Sequence, residues 1–165
     1  MIVYHGSTER VENPEIRISE IGRDFGFAFY TTDIEDQARR WAVRRAKIAE
    51  RREKAVCRAV INRYDWDEKA ASKELRVMRF SGPSAQWLDM VLQCRSDILY
   101  KHQYDIVIGN IANDNVGETV SYVMQGIMRR EDAIERLKFE KINNQIAFCS
   151  QKSLQYLKYV ETVEV

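Results

Sequence analysis

Apolar residues fall along this chain in short bursts of two different periods. Met1 to Tyr4 and Phe25 to Thr31 are compact apolar and aromatic runs that predict strands, the second aromatic and short. Val56 to Tyr64 and Arg76 to Phe80 alternate as half-buried strands do. Ile106 to Gly109 and Ile146 to Cys149 are predicted to be strands, the former buried on both faces, and Leu157 to Val165 closes the series. Helical spacing predicts a long helix from Thr32 or Asp33 to about Glu53, with Ile34, Ala38, Trp41, Ala42 and Ile48 as its inner stripe. Thr32-Asp33-Ile34-Glu35 supplies capping oxygens and an acidic first turn. Ser84 to Arg95, Val116 to Met128 and Glu131 to Phe139 predict three more helices, and Ser150 to Tyr156 a helical turn. Strands and helices mix without a strict βαβ alternation, which points to an α+β fold.

Between these elements the polar stretches read as loops: Glu9 to Arg23, with its Asn13-Pro14 turn, and Asn113 to Asn115. Trp66 sits in Tyr64-Asp65-Trp66-Asp67, a polar setting that predicts a loop and partial exposure. With 7 glycines and 2 prolines there is little linker material, and no repeat stands out. The 165 residues predict one domain over 1–165.

Composition narrows the function classes. At 45% hydrophobic and 31% charged residues, the chain can bury a core. A net charge of +1 makes the whole molecule no polyanion binder, so any basic surface has to be local. No apolar run approaches eighteen residues, and the first residues lack the charged and apolar regions of a signal peptide. The expectation is a cytoplasmic protein with no membrane contact. Cys57, Cys94 and Cys149 have neither metal spacing nor a disulfide pattern, and are expected to be reduced, mostly buried thiols. No metal site is expected.

Candidate chemistry lies on three strand segments. His5, in Tyr4-His5-Gly6-Ser7, is a donor or acceptor for a sugar hydroxyl, and Gly6 beside it lets a ligand approach the backbone. Tyr30, in Gly26-Phe27-Ala28-Phe29-Tyr30, offers a flat face for a ring. Gln145, in Asn144-Gln145-Ile146-Ala147-Phe148, offers an amide. Each residue also has a purely structural reading. His5 could be a satisfied core histidine, Tyr30 a core tyrosine, Ser7 a turn residue and Asp114 a cap for the helix near Val116.

Taken together and in order, these residues resemble the His-Tyr-Glu signature of ADP-ribosyltransferases, in the diphtheria-toxin and poly(ADP-ribose) polymerase branch, with glutamine in place of glutamate. The whole chain is similar to a bacterial family of predicted ADP-ribosyltransferase toxins long catalogued as a domain of unknown function. Four motifs carry the likeness: Tyr4 to Ser7, Asp24 to Tyr30, Tyr104 to Gly109 and Asn143 to Phe148.

The resemblance implies a split β-sheet around an NAD cleft with flanking helices, NAD as co-substrate, and a small antitoxin as partner. It implies catalytic roles for His5, Tyr30 and Gln145, and NAD contacts from His5, Gly6, Ser7, Phe29, Tyr30 and Gln145. The implied activity is mono-ADP-ribosyl transfer to a protein or nucleic-acid acceptor. Alternatives are an NAD glycohydrolase and an inactive NAD- or protein-binding module.

Gln145 is the departure from the pattern. An amide accepts a hydrogen bond but supplies no negative charge to an oxocarbenium-like transition state. Asp114, after a buried strand, is the candidate to supply the missing carboxylate, with Glu140 and Asp24 behind it. Apart from this site, the helix from Ile34 to Lys54 holds eight basic against four acidic residues. That surface could grip phosphates, meet an acidic partner, or stay solvated.

Overall fold

A computed structural model describes the chain except residues 19–23, 111–113 and 139–142, and except the side chains of Asn110, Asp114 and Asn115. The fold is α+β, with seven strands in two open sheets and six helices among the described residues. One sheet runs β1 (Ile2–Ser7), β3 (Val60–Trp66), β7 (Leu157–Glu164), all antiparallel. The other runs β2 (Phe29–Thr31), β6 (Asn144–Phe148), β5 (Ile106–Asn110), β4 (Val77–Arg79), with only β4 and β5 parallel.

Strand alternation sorts the core into two layers. Phe29, Ile106, Ile108, Ile146 and Phe148 face the first sheet, where they meet Val3, Tyr64, Trp66 and Leu157. Val107 and Ala147 point the other way, onto Trp87, Leu88, Val91, Val120 and Leu137. Those residues come from α3 (Ala85–Ser96), α4 (Asp114–Met124) and α5 (Arg130–Leu137). Helices α2 (Glu68–Glu74) and α6 (Gln151–Leu154) are short connectors.

The longest helix, α1 (Glu35–Glu53), lies across β1 and β3. Its inner stripe differs from the predicted one. Gln37, Ala38, Ala42 and Ala46 are buried, Trp41 is half-buried, and Ile34 and Ile48 are exposed. The reason is distance. A Cβ on Gly6 would stand 2.2 Å from the Ala38 carbonyl oxygen and 2.8 Å from the Ala42 nitrogen. Helix and strand backbones touch there, so only alanine fits at the contact and the larger aliphatics are pushed to the rim. The expected cap is also absent: Ile34 is the N-cap and makes no side-chain cap bond.

Two more expectations change. The second strand was predicted from Phe25, but only Phe29–Thr31 pairs with β6; Gly26, at φ 82°, turns the chain before it. Trp66 is not in a loop. It ends β3 fully buried, its ring edge-on to Phe148 at 5.5 Å between centroids. The next residue, Asp67, caps α2 through Ala70 N, a short helix the sequence pattern left unread. Among the described residues no helix is long and apolar enough to cross a membrane.

Candidate functional site

Besides packing face to face, the two sheets are joined through their backbones. Beyond Thr31 the chain leaves β6, and Thr32 instead exchanges two backbone hydrogen bonds with Tyr4 of β1, at 2.8 and 2.9 Å. His5 lies one residue past this bridge. Its Nδ1 is 2.7 Å from the Tyr30 carbonyl oxygen, and its ring lies against Phe29 at 4.5 Å.

That hydrogen bond fixes the tautomer. A carbonyl only accepts, so Nδ1 carries the proton and donates. Nε2 is therefore an acceptor, and it is buried with no partner. Burial first, then the charges of Arg45 and Arg17, lower the His5 pKa to about 4, against the pull of the Tyr30 carbonyl and Glu9 in the other direction. The ring is neutral at pH 7.

Its neighbour across the ladder, Asn62, is also buried. Asn62 holds the segment after β1 in place, accepting from Val11 N at 2.9 Å and donating to the Glu9 carbonyl at 3.1 Å. Nothing in its local sequence marks Asn62 beyond a polar residue at an inward strand position.

Gln145 lies on the other sheet. Tyr30 pairs with Ala147, and Gln145 lies two residues further along β6, so both side chains stand on the helical face of the sheet. Gln145 is 4% exposed, and its Oε1 has no hydrogen-bond partner. Opposite it on β5 is Gly109, where a Cβ would press on Phe80 and Phe25 at 3.2 to 3.3 Å. The glycine lets the Phe80 and Phe25 side chains close over β5 beside the amide.

Tyr30 is half-buried. Its hydroxyl donates to the Gly26 carbonyl and accepts from Phe25 N at 3.3 Å, so the turn before β2 closes on its own tyrosine. Burial, and secondarily Cys149 and Asp24, push its pKa well above the ordinary phenol value, so the hydroxyl stays protonated.

His5, Tyr30 and Gln145 thus lie on β1, β2 and β6, His5 towards the layer between the sheets and the other two on the helical face. The other expected contacts have structural work. Phe29 is 1% exposed and edge-on to Tyr64, so it backs the His5 ring instead of facing a ligand. Ser7 is buried, with Oγ accepting from Glu9 N at 3.3 Å in a turn. Gly6 faces α1. Asp24 is buried in an ion pair with Arg95. The carboxylates of Asp114 and Glu140 lie outside the described residues.

Gln37 was not foreseen. From the first turn of α1 its amide donates to the Asn144 carbonyl at 2.7 Å and accepts from Asn144 N at 3.1 Å. It thereby fixes the backbone next to Gln145. The only sequence signal is a polar residue directly before the Ala38, Ala42, Ala46 stripe.

No curated protein matches this chain, and no solved structure does. Residues 1–159 match the family described as a protein of unknown function (DUF3990), and the chain belongs to that family.

Proposed function

We propose that this protein is an NAD-dependent mono-ADP-ribosyltransferase, the toxin of a toxin–antitoxin pair, with His5, Tyr30 and Gln145 at its site. One observation carries the reading. Among the described residues four buried side-chain polar atoms lack a partner, and two of them are His5 Nε2 and Gln145 Oε1. Leaving a buried acceptor unmade costs about 1–3 kcal/mol. Two such acceptors, on strands that flank β2, call for a ligand that donates from hydroxyls. The ribose of NAD does so.

In this reading the neutral His5 Nε2 accepts from one ribose hydroxyl and Gln145 Oε1 from another. The half-buried ring of Tyr30, clamped through its hydroxyl, gives the nicotinamide a fixed flat face. The bond from ribose C1′ to the nicotinamide nitrogen breaks, and its electron pair leaves with nicotinamide, which becomes neutral. C1′ then bonds to the acceptor nucleophile, which gives up its proton. Gln145 orients the sugar but lends the developing cation no charge, consistent with single transfer rather than chain growth.

The test is incubation of the purified protein with adenylate-labelled NAD and cell lysate, following free nicotinamide and macromolecular label. Label on protein or nucleic acid, reduced at least ten-fold in His5→Ala and Gln145→Ala, is expected. Nicotinamide release without label would replace the reading with a glycohydrolase. NAD binding with neither signal would leave a binding module. Absence of all three, with normal folding, would sink it.

A further inference from the structure

The outer face of α1 carries a second surface, independent of the NAD reading. Arg40, Arg44, Lys47 and Arg51 follow one another at i, i+4, i+7 and i+11, with Val43 on one flank and Ile48 on the other. Together with Arg39 they line a shallow hollow of about 630 Å³. Ile48 is 55% exposed in the middle of this 19-residue helix. The lining contains five cations and no carboxylate. Of the acidic residues of α1, Glu35 bridges Arg63 at 3.0 Å and Arg39, at the end of the hollow, at 3.7 Å, and Glu50 accepts from Cys57 N at 3.3 Å.

We infer that this hollow docks an acidic, amphipathic helix of a partner protein, about twelve residues long to match the roughly 18 Å from Arg39 to Arg51. Charge complementarity selects the acidic side chains, which would run along the cationic ridge. The two aliphatic flanks select the rest. Val43, Ile48 and the methylene stems of the cations give leucine- or isoleucine-sized groups something to bury. A nucleic acid would use the guanidinium heads but not the aliphatic flanks, and the lining holds no aromatic ring on which a base could stack. The hollow also reaches the candidate site. Arg40 donates to Asn143 Oδ1 at 3.2 Å, two residues before Gln145, so an occupant that draws Arg40 away loosens the entry to β6.

The experiment is selection of a displayed library of randomised helical peptides, about sixteen residues long, on the full chain. Variants Ile48→Ser and Lys47→Glu/Arg51→Glu and a short single-stranded oligonucleotide serve as further arms. The expected winners place Asp or Glu along one face with Leu, Ile or Met beside it. They should bind both variants at least ten-fold more weakly than the parent, and weaken as salt rises. Winners without that pattern, winners indifferent to either variant, or no enrichment would overturn the inference. So would oligonucleotide binding that Lys47→Glu/Arg51→Glu abolishes and Ile48→Ser leaves intact, because the surface would then read phosphates. Because no arm contains NAD, failure here leaves the proposed activity untouched, and the reverse holds as well.

Discussion

The two faces of α1 have little in common. Beyond Gln37 the inner face is nearly featureless: a stripe of three alanines, two of which, Ala38 and Ala42, press their backbone onto Gly6. The outer face carries five long cations and two aliphatic side chains around a shallow hollow. The inner face tolerates almost no change because its partner is main chain, which cannot yield. The outer face tolerates almost any change because long side chains in water simply move. One element therefore serves two purposes, and substitutions should separate them cleanly.

Gly6→Ala breaks the contrast most directly. Its methyl would enter the Ala38 carbonyl, and neither backbone can retreat without shifting α1 from the sheet. A loss of about 3 kcal/mol or more is expected in denaturant unfolding, at the upper end of overpacking effects. Retained stability would mean that the helix does not touch β1 as described.

Acid tests the strand beneath that face. His5 has a folded pKa of about 4 against an ordinary value of 6.5. Below 6.5 the unfolded chain binds a proton that the folded chain refuses. Stability is therefore fully present above pH 6.5 and falls as pH drops toward 4, by as much as about 3 kcal/mol. The slope of unfolding free energy against pH across that window should flatten in His5→Asn. An unchanged slope would place the proton uptake on other groups.

Gln37→Ala sharpens the comparison, because Gln37 is the one inner-face residue that reaches the candidate site. Removing its amide strands the N–H and carbonyl of Asn144, at about 1–3 kcal/mol. NAD affinity, read by thermal shift, should fall more than in Ala46→Ser, a control on the same face whose side chain makes no hydrogen bond to Asn144. Equal falls would make Gln37 purely structural.

The outer face should give the smallest effect. Lys47→Glu and Ile48→Ser are expected to change unfolding free energy by no more than about 0.5 kcal/mol. A larger change would show that the cations serve the fold.

Local pattern made some of this legible and hid the rest. The apolar runs at 106–109 and 146–149 announced the central strands of the larger sheet, because buried strands need continuous apolar sequence. His5, Tyr30 and Gln145 fall on strands as their local settings suggested, but only the family resemblance grouped them into a candidate site. The inner stripe of α1 could not, since its spacing depends on how near β1 comes, and that is set by a glycine some thirty residues earlier. Trp66 was misleading for a related reason. Its neighbours Asp65 and Asp67 are polar, yet alternation along β3 turns Trp66 inward whatever they are. Gln37 and Asn62 act on backbone groups distant in sequence, and no local window contains their partners.

The strand junction has a consequence in time as well as in space. His5 and Gln145 lie 140 positions apart in the chain, and β2 between them does not pair with β6 until β6 exists. A chain in synthesis carries His5 long before Gln145 and holds no complete pair of acceptors until β6 has been made. Such long-range closure is slow to form and all-or-none. No fragment cut through β1 or β6 should retain partial affinity; the capacity to bind would arrive whole, once β6 is in place.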